Sequence, residues 1–193
     1  MSSREKMLQA VRQSKPDASE LPAIPESTTF ADRKVERFTE ALNNIGGQVI
    51  PVRDFSDISA YVRQNYVLNR VITTLPELAD VGEVHWHEVA PHELADVEFG
   101  ILVAQFGVAE NAAVWLTDLL MMHRAAPFIC QHLGVVLSAA DIVANMHEAY
   151  TRIGADEYGF GLFIAGPSKT ADIEQSLVLG AHGPKTMTVF LME

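Results

Sequence analysis

Apolar and polar positions along this chain switch repeatedly between helical and strand-like spacing. Segments with apolar residues three or four positions apart are followed by short apolar runs, and the two kinds of segment then alternate. Several short runs are apolar throughout, which is typical of strands covered by helices on both faces. The pattern predicts an α/β protein with a mostly parallel open sheet and helices on both faces. We predict helices at 3–14, 29–45 and 54–66, a fourth helix after 138, and strands at 48–52, 70–75, 101–105, 113–117, 133–137, 161–165 and 187–191.

Two capping boxes mark predicted helix starts. Ser2 and Glu5 stand three positions apart at the N-terminus, as do Ser138 and Asp141 further along the chain. The first box precedes a narrow apolar stripe of Met7, Leu8 and Val11. The second predicts a helix whose buried side holds Ile142, Val143, Met146, Ala149 and Tyr150.

A proline-containing segment separates the first helix from the rest of the chain. Pro16, Pro22 and Pro25 exclude a continuous helix or a central strand between them, so this segment is predicted to be an extended linker. We therefore divide the chain into an N-terminal helical arm with its linker, at 1–29, and one domain at 30–193. The arm is expected to be detached and to dock elsewhere, on a partner for example.

The charge distribution argues against nucleic-acid binding. Fourteen basic and 25 acidic residues give a net charge of −11. Residues 38–193 hold seven basic and nineteen acidic residues, so the body of the protein is strongly acidic. A protein that binds phosphate backbones needs a basic face. An anionic ligand would therefore need a local positive pocket.

The single cysteine argues against a disulfide-linked or iron–sulfur protein, and the lack of a long apolar run argues against a membrane-spanning one. Cys130 alone cannot form an intramolecular disulfide, and this chain by itself cannot supply the thiolates of an iron–sulfur cluster. The longest run without a charged residue, 125–140, is 16 residues, whereas a membrane span needs about 20. The N-terminus also lacks the apolar core of a signal peptide. We expect a cytoplasmic protein without a membrane span.

The segment after the strand at 161–165 carries the most informative motif. It reads Gly-Pro-Ser-Lys-Thr-Ala-Asp-Ile-Glu from Gly166, and Gly-Ala-His-Gly-Pro follows at 180–184. Ser168 or Thr170 could cap a helix here, and a helix N-terminus after a strand is a common anion site. Ordinary turn and cap chemistry also explains these residues and is the simpler interpretation from the residues alone. The candidate ligand residues are Gly166, Ser168, Lys169, Thr170, Asp172, His182 and Gly183.

This motif closely resembles the C-terminal signature of the LUD-domain family, of the C type. The likeness extends to FGILVAQFGVAENAAVWL at 99–116 and RAAPFICQHLGVVLSAADIV at 124–143, and it covers about residues 30–193. The resemblance implies a Rossmann-like fold similar to the NagB/RpiA/CoA-transferase-like superfamily. It also implies a role in oxidising lactate to pyruvate, as an accessory or assembly subunit beside iron–sulfur partner proteins. No cofactor is expected on this chain alone, and a homo-oligomer is compatible with the sequence.

Glu110 is the candidate catalytic residue. The resemblance aligns it with the glutamate of the family's Ala-Glu-Thr-Gly-Thr motif, although Asn111-Ala112-Ala113 replaces Thr-Gly-Thr here. A carboxylate between two apolar strands can act as a general base or nucleophile, or can simply bond backbone N–H groups in a turn. The alternative function is thus a free-standing enzyme of the same superfamily that uses Glu110 on a phosphorylated, CoA- or folate-like substrate. A third reading is a scaffold that has lost its ligand site.

Other residues offer weaker candidate chemistry. His85 and His87 would share one face of an extended segment near His92 and could hold a metal, although a solvated strand face has the same pattern. Cys130 and His132 would share a strand face, where a buried structural cysteine is the simpler interpretation. An apolar cluster of Trp115, Leu119, Leu120, Met121 and Met122 is either core or a partner surface.

Overall fold

A parallel five-stranded sheet forms the centre of the computed structural model, which describes residues 2–17, 19–20, 33–66, 69–155, 158–171 and 177–193. The strands are β1 (Gln48–Val52), β2 (Arg70–Thr73), β3 (Val97–Val103), β4 (Phe106–Val108), β5 (Val114–Thr117), β6 (His132–Ser138), β7 (Ile142–Val143), β8 (Gly161–Ile164), β9 (Lys169–Ala171), β10 (Leu177–Leu179) and β11 (Thr186–Met192). The central sheet has the order β1-β11-β6-β3-β2, and each neighbouring pair in it is parallel.

Helices cover both faces of the central sheet, as predicted. The helices are α1 (Ser3–Gln13), α2 (Lys34–Asn44), α3 (Phe55–Asn65), α4 (Asp118–Met121), α5 (Ala126–Ile129) and α6 (Met146–Ile153). Phe38 and Leu42 of α2 pack with Val135 and Val189 on one face. Ile58 and Val62 of α3 pack with Val136 and Phe190 on the other. The α/β class with a mostly parallel sheet is confirmed.

A second, four-stranded sheet of order β7-β4-β5-β8 lies beside the central one and corrects the predicted single sheet. The runs at 113–117 and 161–165 are strands, but they pair antiparallel with each other in this second sheet. Gly107 allows the two sheets and α2 to approach closely. A Cβ built on Gly107 would lie 2.7 Å from Leu137 Cδ2 and 2.9 Å from Phe38 Cε2.

The helix predicted directly after the box at Ser138 is wrong. The Ser138 hydroxyl accepts from the Ala140 N–H, but it caps only a short 3₁₀ turn. The β-branched pair Ile142-Val143 instead pairs with β4, so strand pairing overrides the local helix signal. Helix α6 begins at Met146 and is capped by Asn145. Ala149 is buried as predicted, whereas Tyr150 is exposed.

The helix predicted after Gly166-Pro167 is also wrong. Lys169–Ala171 is extended and pairs antiparallel with β10, so no helix begins at Ser168 or Thr170. Antiparallel pairing with β10 satisfies the backbone groups that a helix would otherwise have used.

The N-terminal helix is confirmed, with Ser2 and Glu5 forming a reciprocal capping box. No residue of α1 is buried. The start predicted for the second helix at Thr29 and most of the predicted linker lie outside the described residues. The division at 29/30 therefore stays a prediction. Within the described residues, each helix is too short or too polar to cross a bilayer.

Candidate functional site

The C-terminal motif lies at the amino-terminal edge of the central sheet. The backbone N–H of Lys185 donates to the carbonyl of Gln131 at 2.7 Å, directly before β11 and β6 begin. We call the segments 166–169 and 180–184 the motif junction. Ligands of open α/β sheets usually bind at the opposite, carboxyl edge, so the motif occupies an unusual place for this class of fold.

Ser168 holds the two halves of the motif junction together. Its N–H donates to the Pro184 carbonyl at 2.9 Å, and its own carbonyl accepts from the Gly180 N–H at 3.1 Å. A Cβ on Gly183 would lie 3.2 Å from the Cβ of Ser168. The structure thus brings together Ser168 and Gly183, two of the predicted ligand residues, although they are far apart in sequence.

Two glycines of the motif occupy positions where a larger residue would be strained. Gly166 has a φ of +71°, and a Cβ there would lie 2.9 Å from Ile45 Cγ1. Gly180 has a φ of +77°, and a Cβ there would lie 2.5 Å from Lys185 Cγ. Both positions combine a left-handed backbone with close packing, so their glycines have a structural role whether or not a ligand binds.

The polar side chains of the motif differ in exposure. Lys169 and His182 are exposed, and Ser168 and Thr170 are half-buried. The Lys169 Nζ lies 4.0 Å from the position of a Cβ on Gly46. Asp172 lies outside the described residues. Lys169, Ser168 and His182 carry groups that can donate hydrogen bonds to an anion, but the dipole of a helix starting at Ser168 or Thr170 is not available to them.

Glu110 lies in the loop between β4 and β5, exposed to solvent. Its Oε2 accepts a hydrogen bond from the Met146 N–H at 3.0 Å. Asn111 Oδ1 accepts from the Ala113 N–H at 3.0 Å, and Ala112 has a φ of +57°. The loop therefore keeps the left-handed turn where the resembled motif has glycine. The hydrogen bond to Met146 gives Glu110 a helix-capping role, and its catalytic role stays a prediction.

The histidines at 85–92 do not form the shared strand face considered for a metal. Glu83, just before these histidines, makes a strand-like bridge to Ile72, and residues 85–92 themselves are not part of a strand. Trp86 is buried, and its indole N–H donates to the Thr73 carbonyl at 2.8 Å. His85 and His92 are exposed, and His87 is half-buried. The described part of the chain contains no group of three or more His, Cys, Asp or Glu side chains placed to hold a metal.

Cys130 and His132 have separate environments. Cys130 is buried against Gly100, and burial raises the pKa of its thiol to about 12. The thiol therefore stays protonated near neutral pH and is a poor nucleophile. His132 Nδ1 lies 2.7 Å from Thr186 Oγ1, and its Nε2 lies 3.4 Å from Glu98 Oε1.

The contact of Glu98, His132 and Thr186 was not predicted from the sequence. The three residues come from three neighbouring parallel strands, and only strand order and register place them side by side. Tyr66 lies over the same row, with ring centroids 5.7 Å from His132 and 4.4 Å from Phe99. Burial is the main cause that raises the pKa of Tyr66 to about 12. This polar row adjoins the motif junction at the amino edge of the sheet.

A cavity of about 400 Å³ opens between β5, α4 and the end of α6. It is lined by Gln105, Trp115, Thr117, Leu119, Leu120, Ile153 and Tyr158. The apolar cluster at 115–122 was predicted to be either core or a partner surface, and its members are partly buried and partly exposed. Trp115 and Met121 are buried, whereas Leu119 and Met122 are exposed. We call this opening the β5–α6 cavity.

Comparison with known proteins agrees with the resemblance carried by these motifs. The model of the LUD domain matches residues 87–192, which include Glu110, the polar row from Glu98 to Thr186, and the motif junction. The chain belongs to the LUD-domain family. The elements from α1 to β2 lie outside the matched segment of this LUD-domain protein.

Curated relatives of this LUD-domain protein carry a common name. Lactate utilization protein C of Shouchella clausii is 35% identical over 98 residues, which are 48% of this chain and 42% of that protein. The protein of the same name from Bacillus pumilus is 28% identical over 101 residues, which are 49% of this chain and 42% of that protein. The match therefore spans about two fifths of the length of these relatives.

A solved structure supports the fold. The crystal structure of a DUF162 family protein from Deinococcus radiodurans matches with a TM-score of 0.61 and 15% identity. The match covers 83% of this chain and 96% of that protein. At this identity, the likeness concerns the fold alone.

Proposed function

We propose that this LUD-domain protein serves in lactate utilization, in the oxidation of lactate to pyruvate in the cytoplasm. The observation that carries the proposal is the match of about half of the chain to proteins named lactate utilization protein C. The family segment also contains the complete motif junction, which is the most specific feature of the sequence.

Within such a system the chain acts as a subunit without a redox centre, and iron–sulfur partner proteins carry the electrons. The cysteine content of the chain supports the assignment of the redox centres to partner proteins. Iron–sulfur clusters are held by several thiolates, whereas this chain has one cysteine, which is buried and whose thiol has its pKa raised to about 12. Cys130 could join a cluster only after the core around it had opened.

The motif junction is the proposed binding surface for a small anion such as a carboxylate. Lys169 and His182 are exposed there, and the hydroxyl of Ser168 lies on the same pair of segments. The rest of the body is acidic, so a local group of donors is needed to hold an anion against the net field. Ammonium and imidazole side chains supply such donors without a helix dipole.

The proposal is tested by gentle anaerobic purification of a tagged chain from its native host grown on lactate. The expected result is co-purification of proteins with iron and acid-labile sulfide, at a fixed ratio to the tagged chain. The matched control is the same purification from cells grown without lactate. Isolation of the chain alone and free of iron from lactate-grown cells would contradict the accessory-subunit function.

Deletion of the gene provides the second arm of the test. Growth on lactate should fail and should return when the wild-type chain is supplied. If growth is unaffected, and the pure chain alone turns over a phosphorylated, CoA- or folate-like substrate, the free-standing enzyme is the correct function. In that case, Glu110→Gln should abolish turnover.

A further inference from the structure

The arm helix α1 presents an apolar stripe that nothing in the chain covers within the described residues. Met7 and Val11 are 62% and 60% exposed, and Leu8 on the same side is also exposed. Arg4 stands three residues before Met7 on the same side of the helix, and Lys15 follows directly after the C-cap residue of α1. The arm therefore combines an apolar stripe with a net positive charge.

A helix of this kind needs a surface to pack on. An isolated helix shorter than about 12 to 15 residues is only marginally formed in water, and α1 has 11 residues. The capping box at Ser2 and Glu5 defines its start, but it buries no apolar surface. An amphipathic helix none of whose residues is buried leaves its apolar stripe available for contact with another surface.

The body carries an opening, lined mainly by apolar side chains, on which such a stripe can pack. The β5–α6 cavity has a volume of about 400 Å³, and Leu119 at its rim is 81% exposed. Trp115, Ile153 and Tyr158 form other parts of its wall. The α1 residues of the same chain do not line this cavity. The chain thus holds an uncovered apolar stripe and an open apolar cavity, which its own fold does not join.

The charges of the two parts are complementary. Residues 3–15 hold four basic residues and one acidic residue, whereas residues 38–193 hold seven basic and nineteen acidic residues. Opposite charges on two surfaces increase the rate of their encounter and disfavour unrelated partners of the wrong sign. The acidic body is therefore a suitable partner for the basic arm, and every copy of this protein supplies one.

We propose that α1 of one copy docks into the β5–α6 cavity of a second copy, and that the reciprocal contact closes a two-fold dimer. Reciprocal exchange of an identical element gives closed symmetry and leaves neither stripe nor cavity open. The segment 14–33 contains 20 residues and can extend over roughly 60 Å, at about 3.3 Å per residue, so it is long enough to reach a neighbouring copy. The contact does not depend on the role in lactate utilization.

The oligomeric state of the purified full-length chain tests the proposal. Sedimentation equilibrium from about 1 to about 100 µM should show a monomer–dimer equilibrium with a micromolar Kd. Leu8→Glu on the stripe and Leu119→Glu at the cavity should each raise the Kd at least about tenfold. Gln9→Glu makes the same charge change on the polar side of α1 and should leave the Kd within about twofold. Circular dichroism of each variant checks that the body remains folded.

Directed cross-linking identifies the contact itself. A chain with Leu8→Cys and a differently tagged chain with Leu119→Cys should form a disulfide that joins the two tags on mild oxidation. Wild-type chains provide the control, because their buried Cys130 should not cross-link. A monomer at all concentrations, or a dimer unaffected by both glutamate variants, would overturn the proposal. A disulfide formed only within a single chain carrying both cysteines would also overturn it and would place the arm on its own body.

Discussion

The backbone N–H of Met146 donates a hydrogen bond to the Glu110 carboxylate at 3.0 Å, which connects the loop between β4 and β5 to the first turn of α6. A carboxylate at a helix N-terminus satisfies an otherwise unpaired donor and interacts favourably with the helix dipole. The residue that the sequence marks as a catalytic candidate therefore has a defined structural contact. Stability and activity measurements can separate the two roles.

Glu110→Ala should lower the free energy of unfolding by about 1 kcal/mol, because it removes both the acceptor and the charge at the start of α6. Glu110→Gln keeps an acceptor oxygen and should lower it by about half as much. Urea unfolding measures both variants. If Glu110→Gln retains stability but fails to restore growth on lactate in a deletion strain, the glutamate has a chemical role beyond the cap.

Ala112 is a test of backbone strain in the same loop. Its φ of +57° disfavours a residue with a Cβ by about 1 kcal/mol, and its buried methyl group contributes about as much in the opposite sense. Ala112→Gly should therefore leave the free energy of unfolding nearly unchanged. Ala113→Gly, at a buried neighbour without a positive φ, should lower it by about 1 to 2 kcal/mol. Equal losses in the two variants would show that Ala112 is unstrained.

Cys130 should make the protein less stable in alkaline solution. Burial raises the pKa of its thiol from its usual 9.0 to about 12 in the folded state, so the folded protein holds this proton more tightly than the unfolded chain does. The contribution to stability is complete below pH 9 and is lost between pH 9 and pH 12, by about 1 kcal/mol per pH unit.

Denaturant unfolding of the wild-type protein and of Cys130→Ala at pH 8 and pH 10.5 measures this effect. The variant should lose less stability over that interval than the wild type loses. Tyr66, whose pKa is also raised to about 12, contributes equally to both proteins, so it cancels in the comparison. Parallel losses in the two proteins would contradict the assignment to the thiol.

Lys169 tests the proposed anion surface. Its side chain is exposed, so Lys169→Ala should change the free energy of unfolding by less than about 0.5 kcal/mol. The same substitution should weaken the binding of lactate or pyruvate, measured by calorimetry with the wild-type protein as reference. Lys185→Ala, an exposed lysine next to the motif junction, removes the same charge and should leave binding largely intact. Equal binding by Lys169→Ala and the wild type would exclude the lysine from the site.

The central strands could be predicted from the sequence because a buried strand appears as a short run of apolar residues. The runs at 133–137 and 187–191 are apolar enough to identify strands covered on both faces, and the structure confirms them. The run at 48–52 is also a strand, as predicted, but it is an outer strand in which only Val52 is buried. The partner of each strand could not be predicted in the same way. The strands at 113–117 and 161–165 carry a similar apolar pattern, yet they belong to the second sheet.

The geometry of the candidate site also depends on strand pairing that the sequence does not reveal. Gly-Pro-Ser-Lys-Thr is compatible with a helix cap and with a turn into a strand, and only the pairing with β10 decides for the strand. The row of Glu98, His132 and Thr186 has no local signal at all, because its members are joined through register between strands distant in sequence. Sequence motifs identified the motif junction, and tertiary pairing determined its geometry.

The strand order β1-β11-β6-β3-β2 places the three family-matched strands of the central sheet in the middle and assigns both outer strands to the segment before residue 87. A fragment limited to 87–192 would lack both outer strands, so β11 would lose its partner along Thr188–Met192 and β3 would lose its partner along Val97–Ile101. Such long apolar edges are templates for intermolecular pairing. We therefore expect a fragment of 87–192 to aggregate more readily than the full chain, because the preceding segment supplies the strands that cover these edges.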